Sequence, residues 1–252
     1  MAIEVIPLTE ADIPAAVEVI QQAFADDPYF KWVFDAPTTA VVTSCGRNQL
    51  AQFNKQRNYD SLAARCRWGI KNALFHVARE RDAAPAPTTK DESSASAAPI
   101  LGVSCWLAPH SPAQPESWSS WLQSWVLSFR QLVNNVWYRG HGGLRTHRYW
   151  IWKARQHEAQ AQIWDDPRGY YFCNIVAVSP EAQGRGVGRC LFEAVTDRAD
   201  REGVKCYLES SKSVPNVQIY ERMGFEMSME MECRDGEDAC MLYCMVRNPK
   251  TG

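Results

Sequence analysis

The sequence lacks the features of a membrane-spanning or disulfide-bonded protein. No apolar run among its 252 residues approaches the roughly 18 residues that a transmembrane helix requires, and residues 1–10 do not combine a basic start with an apolar stretch. Its nine cysteines are odd in number and include no Cys-x-x-Cys pair, so neither a disulfide framework nor a metal site is indicated. We therefore expect a cytoplasmic protein with no metal and no membrane partner.

An excess of charge of one sign is also absent. Lys and Arg number 27 against 29 Asp and Glu, a net charge of −2, so the chain has no global basic field and no nucleic acid is expected as a partner. Hydrophobic residues make up 46% of the chain, which excludes disorder of the whole chain and allows a large core.

The apolar residues follow patterns that predict a mixture of strands and helices. Short β-type runs predict strands at residues 3–7, 73–77, 100–107, 170–178, 204–210, 226–233 and 239–246. Helical spacing predicts helices near residues 9–24, 39–70, 118–137, 145–164, 187–202 and 216–222. The second and third strands are expected to pair antiparallel across residues 83–99, an Ala/Pro/Ser/Thr-rich segment expected to be a flexible loop.

Residues 111–168 carry an unusual share of the ten tryptophans and are predicted to be a helical insertion. An apolar stripe runs along the helix predicted at 118–137, and the helix at 145–164 follows it after a glycine break. We expect the two helices to form a hairpin that covers the sheet. The alternative is that part of the stripe walls a substrate pocket or forms a dimer contact, because large aromatic side chains are favoured at both.

The segment with the clearest chemistry is a strand, a glycine-rich turn and a helix. The turn, residues 183–188, reads Gln-Gly-Arg-Gly-Val-Gly. Glycines let the backbone approach an anion, and the first N–H groups of the helix point at it, so a pyrophosphate is the expected ligand. The spacing matches neither the G-x-G-x-x-G dinucleotide fingerprint nor a P-loop, since no Gly-Lys-Ser/Thr follows.

This turn resembles the Q/R-x-x-G-x-G/A signature of the GNAT N-acetyltransferase superfamily, which Gln183, Gly186 and Gly188 match. A companion motif of that family, Asn followed four residues later by Tyr and then by x-x-x-Gly-Phe, matches Asn216, Tyr220 and residues 224–225. The resemblance implies an α/β (α+β) fold with a central mixed, mostly antiparallel twisted sheet flanked by helices. It also implies one domain over residues 1–252, with an acetyl-CoA-binding core at 170–226.

The same resemblance implies where acetyl-CoA would lie. Its pantetheine arm would run between the strands at 171–178 and 204–210, and Asn216 would hydrogen-bond it. The backbone groups expected to pair with the arm belong to Val176, Ala177 and Val178. The pyrophosphate would lie on the turn formed by Gln183, Gly184, Arg185, Gly186, Val187 and Gly188, with Arg185 and Arg189 adding positive charge.

In the family a substrate amine attacks the thioester directly, so the protein must align the reactants and move two protons. Tyr220 is the candidate acid, because a phenol pKa of about 10 allows proton donation to a thiolate whose thiol has a pKa of about 8.5. The base stays open between Glu209, at the end of its strand, Asp27, after the first helix, and a water chain.

The leading hypothesis is an acetyl-CoA-dependent N-acetyltransferase acting on the primary amine of a small molecule, such as a metabolite, an amino sugar or a toxic amine. The tryptophan-rich insertion favours it weakly, because it could wall a closed apolar acceptor pocket. The alternatives are a protein N-terminal or lysine acetyltransferase and a non-catalytic acyl-CoA-binding regulatory protein. The chain is expected to be a monomer or a homodimer.

Overall fold

The computed structural model describes residues 2–34, 53–81, 98–110 and 118–250. Residues 39–52 of the predicted second helix and residues 83–97 of the predicted loop lie outside the described residues.

Seven strands in the described part of the chain form one sheet. They are β1 (Ile3–Pro7), β2 (Leu74–Glu80), β3 (Ile100–Leu107), β4 (Tyr171–Val178), β5 (Cys206–Ser210), β6 (Glu226–Asp235) and β7 (Asp238–Arg247). The order across the sheet is β1-β2-β3-β4-β5-β7-β6, in which β4 and β5 are parallel and the other neighbours antiparallel. The mixed, mostly antiparallel sheet is confirmed, as is the predicted pairing of β2 with β3.

Seven α-helices occur in the described residues. They are α1 (Ile13–Phe24), α2 (Pro28–Val33), α3 (Lys55–Asn72), α4 (Trp118–Trp137), α5 (Thr146–Ile163), α6 (Val187–Glu202) and α7 (Asn216–Glu221). Helix α2 is an addition to the predicted elements: Asp27 caps its first turn and Pro28 begins it, both of which are common helix starts. Among these helices, none has the length and apolar character required to cross a bilayer.

The helices cover both faces of the sheet. Helices α1, α2, α3 and α5 pack on one face, where the buried side chains include Val17, Phe172 and Tyr207. Helix α6 covers the other face, with Phe192 and Leu191 in its core, and α7 packs beside it. Both strands at the centre of the sheet, β4 and β5, therefore contribute to two cores.

The prediction that both helices of the insertion cover the sheet is wrong for α4. Helix α5 does so, with Ala159 buried against the sheet. Helix α4 instead packs on α3 through polar side chains, and its apolar stripe faces outward, with Phe129 65% and Val136 69% exposed. The apolar stripe of α4 faces outward because α3, the helix on which α4 packs, presents hydrogen-bonding groups rather than apolar ones to it.

Candidate active site

Strands β4 and β5 separate halfway along their length. They pair from Tyr171 to Cys173, and beyond that point β4 stays paired with β3 alone. Where they part, Asn174 is an extra residue in β4, because the register with β3 shifts there. A β-bulge bends a strand and increases its twist, so Asn174 accounts for the divergence. It also leaves the edge of residues 175–178 that faces β5 without a paired strand in the described part of the chain.

A small cavity of about 60 Å³ lies where the two strands part. It is lined by residues of α1, β4, β5, α7 and the turn after β5, namely Phe24, Cys173, Asn174, Val176, Leu208, Glu209, Ser210, Ser211, Asn216 and Tyr220. Glu209 comes from the face of the sheet that carries α5, whereas Tyr220 packs on the face that carries α6. The gap between β4 and β5 thus joins groups from both faces of the sheet.

The carboxylate of Glu209 is buried and held by neighbouring donors. Gln156 Nε2 lies 3.1 Å from Oε1 and 2.9 Å from Oε2, and the Tyr207 hydroxyl donates to Oε1 at 2.9 Å. Burial raises the pKa of Glu209, and the hydrogen bonds from Gln156, Tyr207 and Trp152 oppose that rise. A carboxylate with a raised pKa is a stronger base than an exposed one, which is suited to accepting a proton from an amine.

Tyr220 contributes a protonated phenol to the same cavity. Its ring packs against Phe192 and Phe225, with centroid distances of 5.5 and 6.3 Å. Burial raises the pKa of Tyr220, so the hydroxyl keeps its proton at neutral pH. Among the described residues the hydroxyl has no hydrogen-bond partner, and its proton is therefore available to a ligand in the cavity.

Asp27, the other candidate base, is engaged in local structure. Its Oδ1 accepts from the backbone N–H of Phe30 at 3.1 Å, which caps α2. Its Oδ2 accepts from the hydroxyl of Ser211, which lines the cavity. Asp27 therefore connects the turn between α1 and α2 to the turn after β5. These two contacts are those of a positioning residue.

The glycine-rich turn leaves its backbone open to a ligand. Gly184 has φ +75° and Gly186 has φ +83°, and a Cβ at either would meet no atom of the described residues within 4 Å. The N–H of Cys190 makes the first helical hydrogen bond of α6, to the Gly186 carbonyl at 3.1 Å. The preceding N–H groups have no intrahelical acceptor and point out of the helix end, an arrangement that fits a pyrophosphate.

The two arginines of the turn are paired with acidic side chains. Arg185 contacts Glu80 at the end of β2, and Arg189 contacts Glu193 at 2.6 Å, one helical turn along. Both pairs are at least partly exposed, and exposed ion pairs contribute little free energy, so either guanidinium can exchange its partner for a phosphate.

The other residues predicted to bind the coenzyme lie along one path from the cavity to the turn. Val176 lines the cavity, Ala177 is buried in the core on the α1 side, and Val178 ends β4 beside Gly188. Gln183 is exposed in the turn and Val187 anchors the start of α6 in the core. Asn216 Nδ2 lies 3.5 Å from Ser210 Oγ at the cavity.

Sequence reasoning misses three polar groups of the site. Asn174 is the bulge residue, and Ser211 binds Asp27. Gln156 stands on the face of α5 that also carries Trp152 and Ala159, and a polar residue on an apolar helix face is a signal that the sequence contains. In the described part of the chain, no cluster of three His, Cys, Asp or Glu side chains could hold a metal ion.

Comparison with known proteins gives matches in sequence and in fold. Residues 145–227 match the acetyltransferase (GNAT) domain family. An uncharacterized N-acetyltransferase of Schizosaccharomyces pombe is 29% identical over 152 residues, which is 60% of this chain. The match spans 58% of the length of that curated relative.

Two solved structures have a similar fold over nearly the whole of both chains. One is described as histone acetyltransferase HPA2 and related acetyltransferase, from Corynebacterium glutamicum, with a TM-score of 0.55, 21% identity and coverage of 100% of this chain and 99% of the other. The second is arylalkylamine N-acetyltransferase 2 from Aedes aegypti, with a TM-score of 0.53, 14% identity and coverage of 99% and 100%. Residues 145–227, which include β4 and the glycine-rich turn, thus match the GNAT acetyltransferase domain family, and the chain has a fold similar to those of these two acetyltransferases.

Proposed function

We propose that the protein is an acetyl-CoA-dependent N-acetyltransferase that acetylates the primary amine of a small molecule. The observation that carries the proposal is that Glu209 and Tyr220, a base and an acid, line one cavity between the parted strands. The transfer needs one group that accepts a proton from the amine and another that supplies a proton to the departing thiolate, and the two residues meet these needs.

The residues between the cavity and the glycine-rich turn would hold the coenzyme. Acetyl-CoA, when bound, supplies an acetyl group activated as a thioester. The unpaired edge of β4 at Val176 to Val178 offers backbone groups to the pantetheine arm, and the N-terminus of α6 offers N–H groups to the pyrophosphate. Asn216 lies at the cavity and offers its amide to the arm.

The protein's own groups would carry the proton transfers. Glu209, oriented by Gln156 and Tyr207, accepts the proton of the incoming amine. Tyr220 donates its phenolic proton to the thiolate sulfur on the other side of the gap. Each group would contribute roughly 10²- to 10⁴-fold in rate, the usual range for positioned acids and bases.

Aromatic side chains near Glu209 favour a small amine as the acceptor. Trp152 helps to lower the pKa of Glu209, and its ring lies 5.1 Å from that of Tyr29 and 5.6 Å from that of Tyr149. A carboxylate among aromatic rings attracts an ammonium group, and a small cavity suits a small molecule better than an extended chain. The two proteins of similar fold are named for different acceptors, a histone and an arylalkylamine, so the choice of a small amine rests on the aromatic side chains near Glu209.

We further propose a cytoplasmic location, since the described cysteines are all free thiols.

The first experiment is a calorimetric titration with acetyl-CoA, with desulfo-CoA and NAD as comparators. Saturable binding of acetyl-CoA and desulfo-CoA but not of NAD is expected. A screen of small amines beside a panel of N-terminal and lysine peptides, read by thiol release, then identifies the acceptor class. Release with peptides alone would indicate a protein acetyltransferase. Binding without release from any acceptor would indicate a non-catalytic acyl-CoA-binding protein.

A further inference from the structure

Helix α4 presents an exposed apolar surface with the spacing of a helix-pairing seam. Leu122, Trp125, Phe129, Leu132 and Val136 follow one another at alternating intervals of three and four residues, the a and d positions of a heptad pattern. We call these five side chains the α4 seam. They are between 54% and 69% exposed, and Val126, Val133 and Trp137 flank them.

Contacts on the opposite side of α4 fix the direction in which the seam points. Gln131 accepts a hydrogen bond from the Ser61 hydroxyl at 2.8 Å, and Asn134 donates to the Arg57 carbonyl at 3.1 Å. The Tyr138 hydroxyl donates to Asp60 at 2.7 Å. Rotating the seam toward α3 would break these hydrogen bonds, so the seam stays on the outside of the molecule.

The seam surface is shaped to receive another helix. An open hollow of about 530 Å³ lies on α4 and is lined by Trp125, Val126, Phe129, Arg130 and Val133. Its lining residues belong to two rows along the helix, each with residues four positions apart. Helices pack by inserting the ridge of one such row into the groove of the other.

The size of the surface is that of a stable protein interface. Eight side chains of the size of Trp, Phe, Leu and Val at these exposures present on the order of 1,000 Å², compared with about 800 Å² per partner in a standard interface. Exposed apolar patches on soluble monomers are usually smaller than this.

We propose that the α4 seam binds the α4 seam of a second copy of the chain and forms an isologous homodimer. Such an interface uses the same patch on both partners, so the patch must be complementary to itself. The seam meets this condition because its five residues are apolar and α4 carries one charged residue, Arg130. The single cation also gives little attraction to anionic lipid, which makes a membrane the weaker candidate for covering the surface.

Sedimentation equilibrium of the full-length protein tests the proposal. A mass of twice 28.5 kDa is expected for the native chain at micromolar concentrations. The double variant Leu132→Glu/Val136→Glu is expected to have the mass of a single chain and the far-UV circular dichroism spectrum of the native chain, because both side chains are largely exposed and their replacement leaves the fold of each chain intact. Met227→Glu, which changes an exposed apolar residue of β6, is the control and should keep the doubled mass.

Variants with opposite charges at positions 132 and 136 test whether the α4 seam of one copy contacts the α4 seam of the other. Leu132→Lys/Val136→Lys alone should also be monomeric, and mixing it in equal amounts with the glutamate variant should restore the doubled mass. A native chain that is monomeric throughout, or one that stays dimeric in both double variants, would overturn the proposal. So would a monomer that sediments with phosphatidylserine vesicles through the seam, since lipid would then be the occupant.

Discussion

Gln156 of α5 binds both carboxylate oxygens of Glu209 through its one amide nitrogen, at 3.1 and 2.9 Å. The amide itself is held in this orientation, because Lys153 Nζ donates to its Oε1 at 2.7 Å. Gln156 is 4% exposed, so water does not readily replace it. The helical insertion therefore orients the proposed base from across the sheet, in addition to covering the core.

Replacement of Gln156 by Leu should shift the pH dependence of turnover. Its hydrogen bonds lower the pKa of Glu209, so their loss raises that pKa further and moves the acid limb of kcat/KM to higher pH. We expect kcat to fall by roughly 10-fold, less than the 10²- to 10⁴-fold expected for loss of the base itself. Gln162→Leu, on the exposed side of α5, is the control. An equal shift in both variants would contradict the positioning role.

Glu209→Gln should lower activity and raise stability. Burial raises the folded-state pKa of Glu209 above the unfolded value of about 4.3, so the folded protein binds more protons in the window between the two values. The free energy of unfolding of the native chain therefore falls as pH rises through this window and stays lower above it. The glutamine side chain of the variant does not ionise. The free energy of unfolding of the variant should therefore exceed that of the native chain by a margin that grows as the pH rises through this window. Urea unfolding at several pH values measures this difference, and a constant difference would contradict the assignment.

Tyr220→Phe should separate binding from turnover. The ring contacts with Phe192 and Phe225 are kept, so the thermal midpoint and the Kd for acetyl-CoA should remain close to those of the native chain. Turnover should fall by roughly 10²- to 10⁴-fold if the phenol protonates the thiolate. Stopped-flow thiol release provides the measurement. Full activity of the variant would exclude Tyr220 as the acid.

Much of the fold could be predicted from the sequence because its signals are local. The short apolar runs of β2 and β3 and the glycines before α6 are each signals contained within a few residues, and the structure has these elements near the predicted positions. Helix α2 was harder to predict because six residues, Pro28–Val33, are too few to show helical periodicity.

The parts that could not be predicted depend on which elements become neighbours. Gln156 and Glu209 are far apart in the chain, and no periodicity relates them. The apolar stripe of α4 predicts a buried face, yet α3 offers α4 the hydroxyl of Ser61 and the carbonyl of Arg57, so the polar side of α4 packs inward. Periodicity shows that a helix has an apolar face but not what covers it.

Asp27 offers a test that distinguishes a base from a helix cap. Asn retains an oxygen that can accept from the Phe30 N–H, so Asp27→Asn should keep both stability and turnover within a few-fold. Asp27→Ala removes the cap and should lower the free energy of unfolding by about 1 kcal/mol. Chemical denaturation and steady-state kinetics of both variants provide the measurements. A large loss of turnover in Asp27→Asn with normal stability would instead indicate that Asp27 acts as the base.

Gly188→Ala tests whether the start of α6 and the end of β4 form the coenzyme site. Gly188 is helical, and a Cβ there would meet Val178 Cγ2 at an ordinary distance of 3.7 Å, so the fold accepts the methyl group and gains up to about 1 kcal/mol in helix propensity. The same methyl group would narrow the passage between the N-terminus of α6 and β4, and the Kd for acetyl-CoA should rise. Gly203→Ala is the matched control: its φ of +64° makes alanine strained at the end of α6, so it should lose stability and keep its affinity. An unchanged affinity in the more stable Gly188→Ala variant would place the coenzyme elsewhere.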